Sequence, residues 1–88
     1  MLLLLYAKKV IRLFISTLIF FMKTTLENFV STFRSEKGVT QEDLAVAVGV
    51  TRQTIIAIEK GNYTPSVLLA LKISQYFKRP VEEVFVLA

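Results

Sequence analysis

Apolar residues recur at helical spacing along most of this chain, and Thr, Ser, Gly and Pro divide the pattern into segments. After Thr25, the residues Leu26, Phe29, Val30 and Phe33 stand at i, i+3, i+4 and i+7, which is one face of a helix. Thr25 is suited to cap that helix and Gly38 to stop it. A second helix, Gln41 to Val48, turns Leu44, Ala45 and Val48 inward, and a third, Arg52 to Lys60, does so with Ile55 and Ile58 before Gly61. Asn62-Tyr63-Thr64-Pro65 reads as a loop, since Pro65 cannot continue a helix, and Ser66 caps the next one. This fourth helix, Val67 to Phe77, is expected to face the core with Val67, Ala70, Leu71, Ser74 and Phe77. Leu68, Leu69, Ile73 and Tyr76 then flank it as spare apolar surface. A short last helix, Val81 to Phe85, comes after Pro80. The pattern predicts an all-α domain of five short helices over residues 22–88, preceded by an apolar segment over residues 1–21.

The stretch Thr40 to Gly61 organises the rest. Thr40 precedes Gln41-Glu42-Asp43, and Thr51 precedes Arg52-Gln53-Thr54. Each threonine hydroxyl can accept an otherwise unpaired backbone N–H two or three residues on, so each marks a helix start. Asp43 completes a capping-box pattern with Thr40, Asp standing where Glu or Gln is usual. Gly49, just past Val48, suits the left-handed residue that commonly ends a helix. Helix, glycine turn and capped second helix make the sequence form of a helix-turn-helix.

Arg34 to Phe85 resembles the phage-repressor and Cro-like helix-turn-helix family of transcription regulators (the xenobiotic-response-element type). The matching pieces are FRSEKGVTQEDLAVAVGVTRQTIIAIEKGNYTPS, then LALKISQYF, then VEEVF, in the family's order and spacing. The resemblance implies a sequence-specific DNA-binding regulator, a small repressor that binds a two-fold operator on double-stranded DNA as a homodimer. It implies no cofactor, and a cytoplasmic, nucleoid-associated location.

Composition narrows the alternatives. The 88 residues suit one small domain, and 53% hydrophobic content is too high for a disordered chain. Without Cys or His there are no disulfides, thiolate or imidazole metal ligands, or His-based triads. A Ser–Lys dyad survives that exclusion, but nothing in the chain places one, so an enzyme is not expected. The formal charge of +4 is uneven: Lys8, Lys9 and Arg12 stand unopposed in residues 1–21, whereas residues 22–88 hold eight basic and seven acidic side chains. Affinity for DNA must therefore come from local placement of cations.

In a helix-turn-helix the second helix enters the major groove with its N-terminal residues toward the base edges. Here those are Arg52 and Gln53, with Ile56 and Ala57 one turn later. Arg can donate two hydrogen bonds to guanine and Gln can pair with adenine, while Ala57 offers only contact with a thymine methyl. For backbone phosphates the candidates are Gln41, Thr51 and Thr54, together with Lys60, Asn62 and Tyr63 in the loop after the recognition helix. The resemblance further implies that Gln41 braces Gln53 and that Arg34 and Glu59 form a structural ion pair. It also marks a departure. The family often has glycine where Lys78 stands, then an apolar residue and a Ser or Thr cap in place of Arg79 and Pro80, so the turn before the last helix is expected to differ.

Two segments stand apart from the DNA-reading core. Val84, Phe85, Val86, Leu87 and Ala88 form an uncharged apolar terminus and are the candidate dimer surface, joined by Leu69, Ile73 and Tyr76; the alternative is that the tail folds back on its own core. Met22 opens MKTTLENFV, which reads as a complete start for the family, so residues 1–21 are expected to be an upstream extension without a folded role. Lys8, Arg12 and Ser16 at steps of four make a narrow polar stripe, which gives the alternative of a helix in a membrane interface; a helix packed on the domain or on a partner is the third. At the level of function, a protein-interaction module such as an antitoxin-like partner, or a membrane-tethered regulator, competes with the free repressor.

Overall fold

The computed structural model describes residues 1–22 and 25–88. The expected domain start at Met22 runs directly into Lys23 and Thr24, which lie outside the described residues. The elements are α1 (Leu2–Met22), β1 (Leu26–Asn28), α2 (Val30–Lys37), α3 (Gln41–Val48), α4 (Arg52–Glu59), α5 (Val67–Phe77), α6 (Val81–Val84) and β2 (Phe85–Leu87). Five short helices surround a core of Val30, Leu44, Ala45, Val48, Ile55, Ile58, Leu69, Ile73 and Val84. Phe33, Val50, Tyr76, Phe77 and Phe85 close over it. Complete burial of side chains such as Leu44, Ile55, Ile58 and Ile73 contributes roughly 1.5–3 kcal/mol each.

The helix boundaries follow from local chemistry. Thr40 Oγ1 accepts the Asp43 N–H at 3.0 Å while the Thr40 N–H donates to Asp43 Oδ2 at 2.9 Å, a reciprocal capping box. Ser66 Oγ accepts the Leu69 N–H at 3.1 Å and so begins α5. Gly49 lies at φ +76° and ends α3, its N–H turned back on the helix carbonyls. Among the described residues the one buried polar side chain, Ser74, donates its hydroxyl to the Ala70 carbonyl at 2.8 Å.

Three expectations are corrected. The stripe starting at Leu26 is helical only from Val30. Leu26–Asn28 is extended and pairs antiparallel with Phe85–Leu87, with Leu26 opposite Leu87 and Asn28 opposite Phe85. Phe29 N–H donates to the Val84 carbonyl and Ala88 N–H to the Thr25 carbonyl, both at 2.9 Å, so the two ends of the domain are sewn together. Thr25 therefore gives its hydroxyl to the Ala88 carbonyl at 3.3 Å rather than to a helix cap, and Leu26 and Phe29 remain exposed.

The C-terminal tail is consequently committed to its own domain. Val84 is fully buried and Phe85 packs on the core, so neither is free to form a dimer surface, and Val86 and Phe85 are half-buried within the strand. Leu87 and Ala88 at the end of that group remain exposed.

On α5 the inward face is rotated from the expected one: Ser74 is buried and Phe77 packs on the core as expected, but Val67 and Leu71 turn outward. Leu69, Ile73 and Ser74 are buried, whereas Val67, Leu68 and Leu71 are 77%, 64% and 48% exposed. Leu69 and Ile73 are therefore core residues and cannot supply spare surface; Tyr76 is half-buried beneath Lys37, whose ammonium lies 4.1 Å from the ring centroid.

Residues 2–22 form one continuous helix, none of whose residues is buried. A helix packed on this domain is thus not what the chain adopts. The turn before α6 does depart from the glycine pattern: Lys78 itself takes the left-handed conformation at φ +54°. Arg79 stays exposed, its guanidinium 4.6 Å from the Phe33 ring centroid and within 3.5 Å of both Glu36 and Glu83.

Candidate nucleic-acid interface

α3, the Gly49 turn and α4 are held as one unit by buried contacts. Leu44, Ala45 and Val48 of α3 and Ile55 and Ile58 of α4 are all core residues, and Val50 in the turn packs against them. Burial of one side of α4 fixes what its other side presents. Thr51 caps the helix, accepting the Thr54 N–H at 3.4 Å, and the two threonine hydroxyls are 3.2 Å apart. Arg52 and Gln53 come directly after it and are exposed; Thr54, Ile56 and Ala57 are half-buried along the flank. The outer face of α4 thus starts with two long polar side chains and narrows to a small apolar one.

Arg52 and Gln41 line one open groove with Arg34, Val39, Thr40 and Glu42, where the start of α3 faces the start of α4. Among the described residues Arg52 forms no ion pair, so its five donors are not engaged by a carboxylate. The groove is not purely cationic, because Glu42 and Asp43 occupy the first turn of α3. The Thr40 backbone N–H, and secondarily its hydroxyl partnership, hold the Asp43 carboxyl below its ordinary value of 3.8.

Beneath the groove, Glu59 is a hub. Arg34 Nε donates to Glu59 Oε2 at 2.8 Å and Arg34 Nη2 to Oε1 at 3.2 Å, while Arg34 Nη1 reaches the Val39 carbonyl at 3.1 Å. The hydrogen bond to Glu59 raises the guanidinium pKa further above its ordinary value. Gln41 Nε2 donates to the same Glu59 Oε1 at 3.0 Å. The Gln41 amide is therefore turned to Glu59 rather than to Gln53, which departs from the bracing role implied by the resemblance. Its backbone amide still stands at the first position of α3, directly after the Thr40 cap.

The loop after α4 is also preorganised. Gly61 lies at φ +78°, and Asn62 N–H donates to the Ala57 carbonyl at 2.9 Å, which satisfies the end of α4 and leaves the side chains of Lys60, Asn62 and Tyr63 exposed.

One positioning residue has no counterpart among the residues singled out from sequence. Asn28 donates from Nδ2 to the Ile58 carbonyl at 2.9 Å and accepts the Val30 N–H at 3.2 Å, clamping β1 and the start of α2 to the last turn of α4. An Asn two residues ahead of a helix is a signal for such a bond, but only where the helix start itself is known. Among the described residues no group of carboxylates stands close enough to hold a metal ion.

Comparison with known proteins matches residues 31–84 to a family model described as helix-turn-helix. An uncharacterized HTH-type transcriptional regulator of Methanocaldococcus jannaschii is 49% identical over 61 residues, which cover 69% of this chain and 92% of that protein. The uncharacterized HTH-type transcriptional regulator YgzD of Bacillus subtilis is 53% identical over 60 residues, covering 68% of this chain and 91% of the relative. A third such regulator, from Methanothermobacter thermautotrophicus, is 56% identical over 55 residues, covering 61% and 80%.

Proposed function

The chain belongs to the helix-turn-helix family of transcriptional regulators, and we propose that it represses by occupying a two-fold DNA operator as a homodimer. It is a DNA-binding transcription regulator; the operator geometry, the contact residues and the dimer make up the proposal. The observation that carries it is the outer face of α4, where exposed Arg52 and Gln53 sit on the first turn of a helix locked from behind by Ile55, Ile58 and Glu59. Arg52 reads guanine and Gln53 adenine, Ile56 and Ala57 shape the contact one turn on, and the rigid helix keeps all four in register.

Phosphates flanking the groove are met by the α3 start at Gln41, by Thr51 and Thr54, and by Lys60, Asn62 and Tyr63. These contacts set position and salt dependence, while Arg52 and Gln53 set sequence preference.

For the dimer we assign the surface to α5. Val67, Leu68 and Leu71 are exposed apolar residues on one side of the helix after the recognition-helix loop, and the C-terminal tail is built into the sheet instead. Pairing there through a two-fold axis sets one α4 in each of two half-sites about 34 Å apart. Residues 25–88 supply this whole apparatus, and the domain is taken as residues 22–88. No helix among the described residues is long and apolar enough to cross a membrane.

The experiment is a binding titration of the intact chain against a duplex carrying a two-fold site, beside the Arg52→Ala/Gln53→Ala variant. Loss of binding in a variant that stays folded and dimeric supports the reading; unchanged binding removes α4 from it.

A further inference from the structure

The feature that DNA recognition leaves unexplained is α1, which lies wholly outside the family match at residues 31–84. Its 21 residues form one unbroken helix with no buried residue. Successive residues turn about 100°, so Lys8, Arg12 and Ser16 share one stripe with Lys9 beside it, while Leu3, Ala7, Val10, Phe14, Leu18 and Phe21 line the opposite face. Of these, Leu3, Phe14 and Phe21 are 85%, 68% and 72% exposed. Leaving so much apolar surface in water is unfavourable, and a contiguous patch of this kind marks an interaction site.

We infer that α1 binds flat on an anionic lipid surface, with Phe14 and its neighbours sunk into the acyl boundary and Lys8, Lys9 and Arg12 among the headgroups. Three observations select this occupant. First, the polar stripe carries three cations and no acid, which complements anionic headgroups. Second, those cations sit in the middle of the segment, where a spanning orientation would hold them in hydrocarbon, and no helix among the described residues qualifies as a span. Third, a second copy of α1 is a poor partner. Pairing through the face opposite the cations covers that one face only and leaves the flanking leucines and isoleucines wet. The consequence is a regulator held at a membrane surface, with its DNA-reading face on a separate part of the chain.

Lipid binding by α1 does not depend on the operator and is tested apart from it. The full-length chain is cosedimented with vesicles of phosphatidylcholine alone and of phosphatidylcholine mixed with phosphatidylglycerol. Two variants accompany it, Lys8→Gln/Lys9→Gln/Arg12→Gln and Phe14→Asp/Leu18→Asp; neither removes a core residue. The expected result is binding to the mixed vesicles that falls on the order of a hundredfold in the triple variant, at a factor of about five per cation. Binding is expected to vanish in the double variant, and Arg52→Ala/Gln53→Ala is expected to bind lipid normally. No sedimentation with the mixed vesicles, equal sedimentation of the triple variant, or loss of binding in the Arg52/Gln53 variant each overturns it. So does lipid-free oligomerisation that Phe14→Asp/Leu18→Asp abolishes and vesicles do not compete away, which makes a second copy the occupant.

Discussion

Arg34 meets Glu59 through two parallel hydrogen bonds, Nε to Oε2 at 2.8 Å and Nη2 to Oε1 at 3.2 Å, and so ties α2 to the last residue of the recognition helix. The side chains are 18% and 9% exposed, which shields the pair from solvent. Because Gln41 donates to the same carboxylate, the link also fixes the start of α3.

Arg34→Ala strands the Glu59 carboxylate beside the core and is expected to cost roughly 2–4 kcal/mol. The melting temperature should fall by about 8 °C or more, at about 4–8 °C per kcal/mol for a domain of this size. The base preference of whatever remains folded should be unchanged. An unaltered melting temperature would count against the structural role.

Lys78 occupies a left-handed position at φ +54° that closes α5, where a Cβ is disfavoured. Lys78→Gly relieves about 1–2 kcal/mol of strain and, after the roughly 0.5–1 kcal/mol that glycine adds to the freedom of the unfolded chain, should stabilise the domain by about 0.5–1 kcal/mol net. A scanning calorimetry trace showing a lower melting temperature for the variant would refute the strain argument.

The capping box gives an acid limb. Folding lowers the Asp43 pKa, so the unfolded chain holds that proton more tightly, and the contribution is full above the ordinary value of 3.8 and lost as pH falls through the lower folded value. The melting-temperature gap between the native chain and Asp43→Ala should be constant at neutral pH and shrink below about pH 4. A gap that persists unchanged into strong acid would show that the carboxylate charge contributes nothing.

Leu68→Glu with Leu71→Glu places two charges on the surface assigned to the second copy, at positions 64% and 48% exposed. Sedimentation equilibrium should report a monomer with an unaltered melting temperature at low concentration, and operator affinity should drop at least tenfold, as expected when two half-sites no longer bind together. A variant that remains dimeric would move the interface elsewhere, with exposed Leu87 and Leu26 the next surface to examine.

How much of the fold is legible in the sequence depends on how local its cause is. Thr40, Asp43, Gly49, Thr51 and Ser66 act within four residues, and the helix starts and the turn they specify stand where expected. The phase of α5 is not legible, because Val67, Leu68, Leu69, Ala70 and Leu71 are all apolar and the pattern cannot choose among their faces; the position of Leu44 and Ile58 in the core chooses Leu69 and Ile73. The β1–β2 ladder is hidden for a different reason. Leu26, Phe29, Val30 and Phe33 fit a helical period, and the strand that captures Leu26–Asn28 lies far along the chain, at Phe85–Leu87. Asn28 cannot be read as a clamp on α4 until that strand has set where α2 begins. The family resemblance reaches Arg34 and Glu59 across a comparable gap, but it gives no hint that the Gln41 amide joins them.

The claim that α4 reads a two-fold sequence is tested most directly by selecting duplexes from a random pool with the full chain at two salt concentrations. The predicted result is an enriched palindrome whose half-sites lie one helical turn apart, with affinity that survives moderate salt. Arg52→Ala/Gln53→Ala should lose about 1–3 kcal/mol for each contact removed, while melting as the native chain does. A pool that shows no enriched sequence, with binding that merely falls as salt rises and is indifferent to Arg52 and Gln53, would leave only phosphate contacts and contradict it.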